Sequence, residues 1–469
     1  MCKIGGMNQA LLKKFFEPKK IALIGVTRTP GFGYGIPGFW RKQGWLDRAY
    51  LVNPRGGEIE GKRVLQSISD LPTGIDLAVL VVPAKAVKGA LPELAAKGIK
   101  AVVIESAGFA ETGEDGRREQ EEIAKVAKSF GMRLLGPNCV GVVNTELKFA
   151  TTEVMDRALQ PGTVAIIAQS GVFGNILLDH LPAMGIKIRK VATLGNKIDL
   201  DESDFLEYFA EDEKTKVILI YQEGIQQGRR LMAALRKATA QKPVVILKSG
   251  RTRLGQKATR SHTGSLSGED LIYDGAFHQT GAIRANTLEE MISFAKAFSS
   301  QPRLRGKKIG ALTTSGSLGA LLSDALGQAG LLLPDWTPAT IEKVKKIAPG
   351  WINLKNPLDV GPSQIFPLAI DAIFSDPNPD GYIIIPVIPS AAIEPWRAIG
   401  FKMKDFFGDI KLMREKVKDK PVIAILLGDQ ELEKELEELC GDTILSVHRP
   451  EIAGRIMSAL YQAGNPVPR

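Results

Sequence analysis

Ile166-Ile167-Ala168-Gln169-Ser170-Gly171-Val172-Phe173-Gly174 is the stretch on which the reading of this chain turns. An apolar run ends in a polar pair, a glycine follows, and a helical pattern begins. Nearly the same phrase returns as Ala311-Leu312-Thr313-Thr314-Ser315-Gly316-Ser317-Leu318-Gly319. Each copy reads as a strand, then Ser-Gly-x-x-Gly, then a helix. Further on, Gly195-Asn196 with Asp199 parallels Asn356 with Asp359. Each copy then continues through a helix and an acidic turn into another strand.

The same alternation extends along the chain. Apolar, β-branched runs lie at Ile21–Val26, Ala78–Val82, Ala101–Ile104, Val164–Ala168, Val217–Tyr221, Val244–Lys248, Ile309–Thr313, Tyr382–Pro386 and Val422–Leu427, with helical patterns such as Ala86–Lys97 and Gly116–Phe130 between them. Continuous apolar runs are strands buried on both faces, and their alternation with helices predicts βαβ units and parallel sheets. The expected fold is α/β: a Rossmann-like domain over 1–150, then two flavodoxin-like parallel-sheet domains over 151–300 and 301–469. The boundaries fall at Gln160-Pro161-Gly162 and in the polar stretch Ser299–Gly306.

The 469 residues suffice for about three domains. Apolar residues make up 44% and charged residues 24%, a globular balance. Met1–Ala10 has no leader pattern, Met7 is an alternative start, and no apolar run reaches the roughly 18 residues of a membrane span. Cys2, Cys139 and Cys440 are too scattered for a disulfide framework, which suits a reducing cytoplasm. The net charge of +9 is spread beside acidic residues. That reads first as a solvated surface, next as affinity for a polyanionic ligand such as a nucleotide or CoA, and last as nucleic-acid binding, since no basic stripe with interleaved aromatics is visible.

Chemistry concentrates in a few places. Gly33-x-Gly35-x-x-Gly38 formally matches a dinucleotide fingerprint but does not follow its strand directly. After the next strand, Tyr50-Leu51-Val52, an NAD site would carry an acid for the ribose hydroxyls. This chain has Asn53-Pro54-Arg55, which favours a phosphorylated ligand; the alternative is a glycine turn that only packs. Ser170-Gly171 and Ser315-Gly316 open helices, whose free N–H groups and positive end suit a phosphoryl oxygen. Singly, each also reads as an ordinary N-cap. His262 stands in Ala258-Thr259-Arg260-Ser261-His262-Thr263-Gly264-Ser265-Leu266-Ser267-Gly268, which reads as a long mobile loop. A neutral imidazole there is a competent nucleophile toward phosphorus; the plainer reading is solvent exposure. Glu223, just past the strand Val217–Tyr221, is the carboxylate expected to orient that ring. His180, His278 and His448 read as structural or surface residues.

Together these pieces resemble the nucleoside-diphosphate-forming acyl-CoA synthetase superfamily, which includes succinyl-CoA synthetase and the ADP-forming acetyl-CoA synthetases. Ser261–Ser265 with Tyr273-Asp274-Gly275-Ala276-Phe277 is similar to the family's phosphohistidine segment. Gly136-Pro137-Asn138-Cys139 with Gly141 and Asn144 resembles its CoA-domain signature, and Asn356-Pro357-Leu358-Asp359-Val360 that of its third domain. The resemblance implies an acid–thiol ligase. Acyl-CoA and phosphate would give an acyl phosphate and CoA, His262 would take the phosphoryl group, and a swinging loop would carry it to ADP with Mg²⁺ on a separate ATP-grasp β subunit, in an α2β2 assembly. It implies two helix N-termini around the phosphohistidine, at Ser170-Gly171 and Ser315-Gly316. It also implies CoA contacts from Gly25, Thr27, Arg28, Asn53, Pro54, Arg55, Val82, Pro83, Ser106 and Asn138. No metal site is expected on this chain. Three other readings compete: an NAD-binding redox regulator, a scaffold related to protein acetyltransferases, and a non-catalytic CoA sensor. The pair Asn53 and Arg55 argues against the first, and His262 against the second.

Overall fold

The computed structural model describes residues 4–263 and 269–465, with the side chains of 4–8 and 260–263 left outside that description. The chain forms two compact units, Met1–Asn286 and Thr287–Arg469.

The first unit holds two sheets. One runs in the spatial order Lys62–Leu65, Ala49–Val52, Ile21–Ile24, Leu77–Leu80, Ala101–Ile104, Arg133–Leu135, all parallel, with Glu58–Ile59 added antiparallel at the edge. Leaving that edge strand aside, this is the 3-2-1-4-5-6 order of a doubly wound dinucleotide-type fold. The order reverses between Ile21–Ile24 and Leu77–Leu80, and ligands favour the crevice beyond the carboxyl ends of such strands. Its core packs Ile24, Leu80, Val102, Ile104 and Phe109 under the helices Ala84–Ala96 and Glu114–Ser129.

The second sheet has the parallel order Ile283–Ala285, Val244–Lys248, Val217–Gln222, Val164–Ala168, Ile188–Thr193. Val142–Asn144 and Phe149–Ala150 extend it antiparallel, so the chain leaving the first sheet is sewn into the edge of the second. Cis peptides precede Pro137 and Pro357.

The second unit carries one parallel sheet ordered Leu358–Asp359, Ile309–Thr313, Gly381–Ile385, Val422–Ile425, Leu445–Val447. Numbered along the chain, both this sheet and the parallel part of its predecessor are 2-1-3-4-5, the flavodoxin-like order. The duplication read from Ser170-Gly171 and Ser315-Gly316 is therefore a duplication of topology. It does not extend to every residue. Asn196 bonds Glu111 and Gln120 through its side chain. Asn356 instead lies along the sheet edge, accepting from Ala311 N–H and donating to the Ile309 and Pro334 carbonyls.

One expectation is corrected. The stretch read as a loop around His262 is helical over Arg253–Thr263. The Thr252 hydroxyl accepts from Gly255 N–H at 3.1 Å, which caps this helix. It was hidden because its face is polar almost all round and Leu254 points to solvent.

Candidate active site

A cleft of about 500 Å³ opens in the first unit where its two sheets meet, with Val82, Ser106, Asn138, Ser170, Gly171 and Asn196 in its walls. It therefore gathers residues read separately from sequence as CoA-facing and as phosphate-binding. A larger groove, about 770 Å³, lies in the second unit between Arg397, Lys404, Lys411 and Glu435, and none of the candidate residues is in its walls.

The turns expected to face CoA are preorganised by their own backbone. Gly25 has φ +95°, and a Cβ there would come within 2.4 Å of the Val81 carbonyl, so only glycine fits. Asn53 donates to the Val26 carbonyl at 2.7 Å and accepts from Arg55 N–H at 2.9 Å, tying the first two strand ends together. Pro54, Arg55 and Pro83 lie exposed on these turns, while Thr27 accepts from Thr29 N–H at 3.0 Å. The Arg28 guanidinium is engaged: it donates to the carbonyls of Gly56 at 2.5 Å and Glu58 at 3.3 Å. It braces the neighbouring turn, and pairing with a phosphate would cost those bonds.

The wall between the sheets is equally fixed. Ser106 is buried, and its carbonyl accepts from Asn138 N–H at 2.9 Å. Asn138 follows the cis Gly136-Pro137 bond with φ +59°. The Gly195-Asn196 turn presses on it, with Asn196 N–H donating to the Pro137 carbonyl at 2.9 Å. Glu111 holds this turn by accepting from the Asn196 amide at 2.7 Å. Although burial works against its charge, the Asn196 bond and the N–H groups of Gly108 and Phe109 keep Glu111 below the usual carboxylate range.

Ser170 caps the helix Gly171–Ala183, its hydroxyl accepting from Phe173 N–H at 3.4 Å. Gly171 sits against Val140 and carries one of the free N–H groups of the first turn. Beside it Gln169 organises the end of the next strand, its side-chain oxygen accepting from Glu223 N–H at 2.9 Å and Gly224 N–H at 3.1 Å. Glu223 is buried, with the Tyr221 hydroxyl 3.3 Å from its carboxylate. The side chain of His262 lies outside the described residues, so its relation to Glu223 stays an expectation.

In the second unit Ser315 precedes the helix Gly316–Gln328, with its hydroxyl on Ser317 rather than on a backbone N–H. A Cβ on Gly316 would stand 2.7 Å from the Asp359 carboxylate, so this N-terminus already faces an anion.

Three buried groups escaped the sequence reading. Glu105 lies in the cleft wall at the end of Ala101–Ile104; its one signal is an acid directly after an apolar strand. Lys197 has φ +57°, and its ammonium donates to the Gly224 carbonyl at 2.6 Å and to Gln169 at 3.2 Å and lies 3.3 Å from the Glu202 carboxylate. Lys248 ends Val244–Lys248 with its ammonium 4.7 Å from the centre of the Tyr273 ring; burial chiefly brings its pKa down to about 8. Among the described residues no group of three or more His, Cys, Asp or Glu is arranged to hold a metal, and no helix is long and apolar enough to cross a membrane.

Known proteins carry the same parts in the same order. A CoA binding domain matches residues 19–145, and a succinyl-CoA ligase like flavodoxin domain matches 161–298. The acetate–CoA ligase (ADP-forming) II subunit alpha of Pyrococcus furiosus is 37% identical over 97% of this chain and 98% of its own length. The acetate–CoA ligase (ADP-forming) of Methanocaldococcus jannaschii is 41% identical over 74% of this chain but only 49% of its own. Among solved structures, an acetyl-coenzyme A synthetase 1 of Ca. Korarchaeum cryptofilum in complex with phosphate and ADP superposes with a TM-score of 0.86 at 30% identity, covering 96% of both chains. With two sheets, a shared cleft and a full-length match in agreement, the chain belongs to the α subunits of the ADP-forming acetate–CoA ligases, relatives of succinyl-CoA synthetase, and is a ligase.

Proposed function

We propose that this chain interconverts acyl-CoA, ADP and phosphate with a carboxylic acid, CoA and ATP, together with an ATP-grasp β subunit in an α2β2 assembly. The observation that supports this most is the single cleft that places Ser106 and Asn138 of the CoA-type sheet beside the N-terminus at Ser170-Gly171. Acyl-CoA entering over Gly25, Thr27, Arg28, Asn53, Pro54, Arg55, Val82 and Pro83 brings its thioester to a place where a phosphate oxygen is held by backbone N–H groups. Phosphate attacks the acyl carbon, the C–S bond breaks, and the thiolate leaves as CoA. The ring nitrogen of His262 then attacks the acyl phosphate at phosphorus and the carboxylate departs. Glu223 accepts from the other ring nitrogen and supports the cation that forms.

The phosphoryl group travels on the His262 segment to ADP, bound with Mg²⁺ on the partner. The helix at Ser315-Gly316 serves as the second cradle, where the Asp359 carboxylate has to turn aside to admit the anion. A cytoplasmic site follows from the substrates.

The test is transfer of label from γ-labelled ATP with Mg²⁺ to the chain in the presence of its β subunit, wild type beside His262→Ala. Acid-labile, base-stable label on the wild type alone is expected. A wild type that stays unlabelled with a folded partner present would leave a CoA-binding sensor as the better account.

A further inference from the structure

Two sheets of the same topology build the same corner in this chain, and they build it from different residues. In the first unit Gln169 N–H donates to the Tyr221 carbonyl at 3.0 Å and Leu194 N–H to the Ala168 carbonyl at 2.8 Å. In the second unit Thr314 N–H donates to the Ile385 carbonyl at 3.2 Å and Val360 N–H to the Thr313 carbonyl at 3.0 Å. With the strand registers, this sets Gln169 against Thr314 and Glu223 against Val387. The turns after Ile188–Thr193 and Leu358–Asp359 match as well, Gly195 having φ +57° and Gly361 φ +59°. Lys197 therefore stands where the second unit has Ser363.

The second unit closes its corner simply. The Thr314 hydroxyl accepts from Val387 N–H at 2.9 Å, and the Ser363 hydroxyl returns to the Val360 carbonyl of its own turn at 2.7 Å. The first unit uses more. The Gln169 side-chain oxygen accepts from Glu223 N–H at 2.9 Å, from Gly224 N–H at 3.1 Å and from the Lys197 ammonium at 3.2 Å. The Gly224 carbonyl accepts from Lys197 at 2.6 Å and from the Gln222 amide at 3.2 Å. Gln169, Lys197 and Gln222 are all buried, and Lys197 takes a left-handed backbone with φ +57°. A charge withdrawn from water and a non-glycine residue at positive φ each cost stability. The same corner is closed by one hydroxyl in the second unit, so closing it does not require them. What the first unit has in addition is the acid, Glu223 where the other has Val387. Side chains from two other elements hold the backbone of its turn, and the carboxylate keeps its bearing whether or not the His262 segment is beside it.

We propose that Gln169, braced by Lys197, is the positioning residue of Glu223. It fixes the turn from which that carboxylate meets the imidazole, and it directly precedes the Ser170-Gly171 cradle, so one residue sets acid and cradle relative to each other. The proposal rests on the reading of Glu223 as the partner of the His262 ring.

The rate of label transfer from γ-labelled ATP to the full chain, with its β subunit, tests it in Q169L, E223Q and the double variant. Q169L removes the shared acceptor and is expected to slow phosphohistidine formation by on the order of tenfold. In E223Q the charge to be positioned is gone, though the amide still accepts from the ring and leaves a slower label to measure. There Q169L is expected to cost less than about threefold, since residues that act through one another are not additive. Q169N, whose acceptor stands one methylene short, supplies the same comparison should Q169L fail to fold. A purely structural role would slow both backgrounds alike, so an equal loss in the two overturns the proposal, as does a folded Q169L or Q169N labelled at the wild-type rate. E223Q labelled as fast as the wild type overturns the Glu223 reading beneath it, and the proposal with it.

Discussion

Gly171 offers a test that a helix can survive. Proline is welcome at the first position of a helix because its φ already fits, yet it removes the N–H. A side chain at this position meets Val140 at 3.3 Å, tight but not prohibitive. Gly171→Pro should therefore fold, lose phosphohistidine formation by on the order of a hundredfold, as for loss of one oxyanion donor, and differ from Gly171→Ala, which keeps the N–H. Label transfer measured on both variants decides, and normal phosphorylation of the proline variant would refute the cradle. Residue types at this scale were legible where chemistry forces them. Gly25, Ser170 and Asn138 announce themselves by turn and cap grammar. Glu105 and Lys197 do not, because a charged letter in sequence reads as surface until its neighbours bury it. Arg28 shows the converse, a basic residue expected to face CoA whose guanidinium is engaged on the Gly56–Glu58 turn.

At the scale of elements, Lys197 joins three of them. Its ammonium reaches the Gly224 carbonyl past the end of Val217–Gln222, Gln169 at the end of Val164–Ala168, and Glu202 at the start of the helix Glu202–Glu211. Both charges are nearly inaccessible, with side chains 2% and 4% exposed. Removing one partner of such a pair leaves the other buried alone, a loss of about 3 to 5 kcal/mol. Lys197→Met should show that loss in urea unfolding; a drop below about 1 kcal/mol would mean that Glu202 finds another partner. Strand reading succeeded at Ala101–Ile104, Val164–Ala168, Val244–Lys248 and Ile309–Thr313, whose interiors are runs of apolar letters. It missed Ile188–Thr193, which carries Arg189 and Lys190 in its interior. Those cations are buried because Arg189 pairs with Asp212 at 3.0 Å and with Glu146, while the Lys190 ammonium lies 4.7 Å from the Tyr208 ring centre. No pattern of apolar letters reveals a strand neutralised from elsewhere in the chain.

For the whole molecule, pH sets opposing contributions against each other. Against the cost of burial, Arg230 and Arg133 hold Asp204 below its ordinary 3.8, and Arg189 and Lys190 do the same for Asp212. A lowered carboxyl stabilises the fold above that value and loses its contribution as pH falls through the folded pKa. Glu105 runs the other way: its raised pKa contributes below 4.5, and the contribution is lost as pH rises toward its value in the fold. Glu105→Gln should therefore gain on the wild type by about 1.4 kcal/mol for each pH unit of that interval. Chemical unfolding of both proteins from about pH 4 to 8 measures it, and a constant difference would mean that Glu105 is charged throughout. The α/β class and the paired 2-1-3-4-5 sheets were legible because a duplicated phrase carries its topology with it. The meeting of the first two sheets was not, since it depends on Val142–Asn144 crossing from one to edge the other.

Asn356 gives that duplication a different consequence. The edge strand Leu358–Asp359 pairs with only Leu312 and Thr313, and Leu332 bridges Lys308 and accepts from Ile309 N–H, which leaves the Ile309 carbonyl and Ala311 N–H between them. The Asn356 amide fills the gap, taking Ala311 N–H and giving to the Ile309 carbonyl. A single side chain thus closes the gap between two short stretches of pairing. It denies those backbone groups to any foreign chain, and so protects an incomplete sheet from the edge-to-edge pairing that begins aggregation.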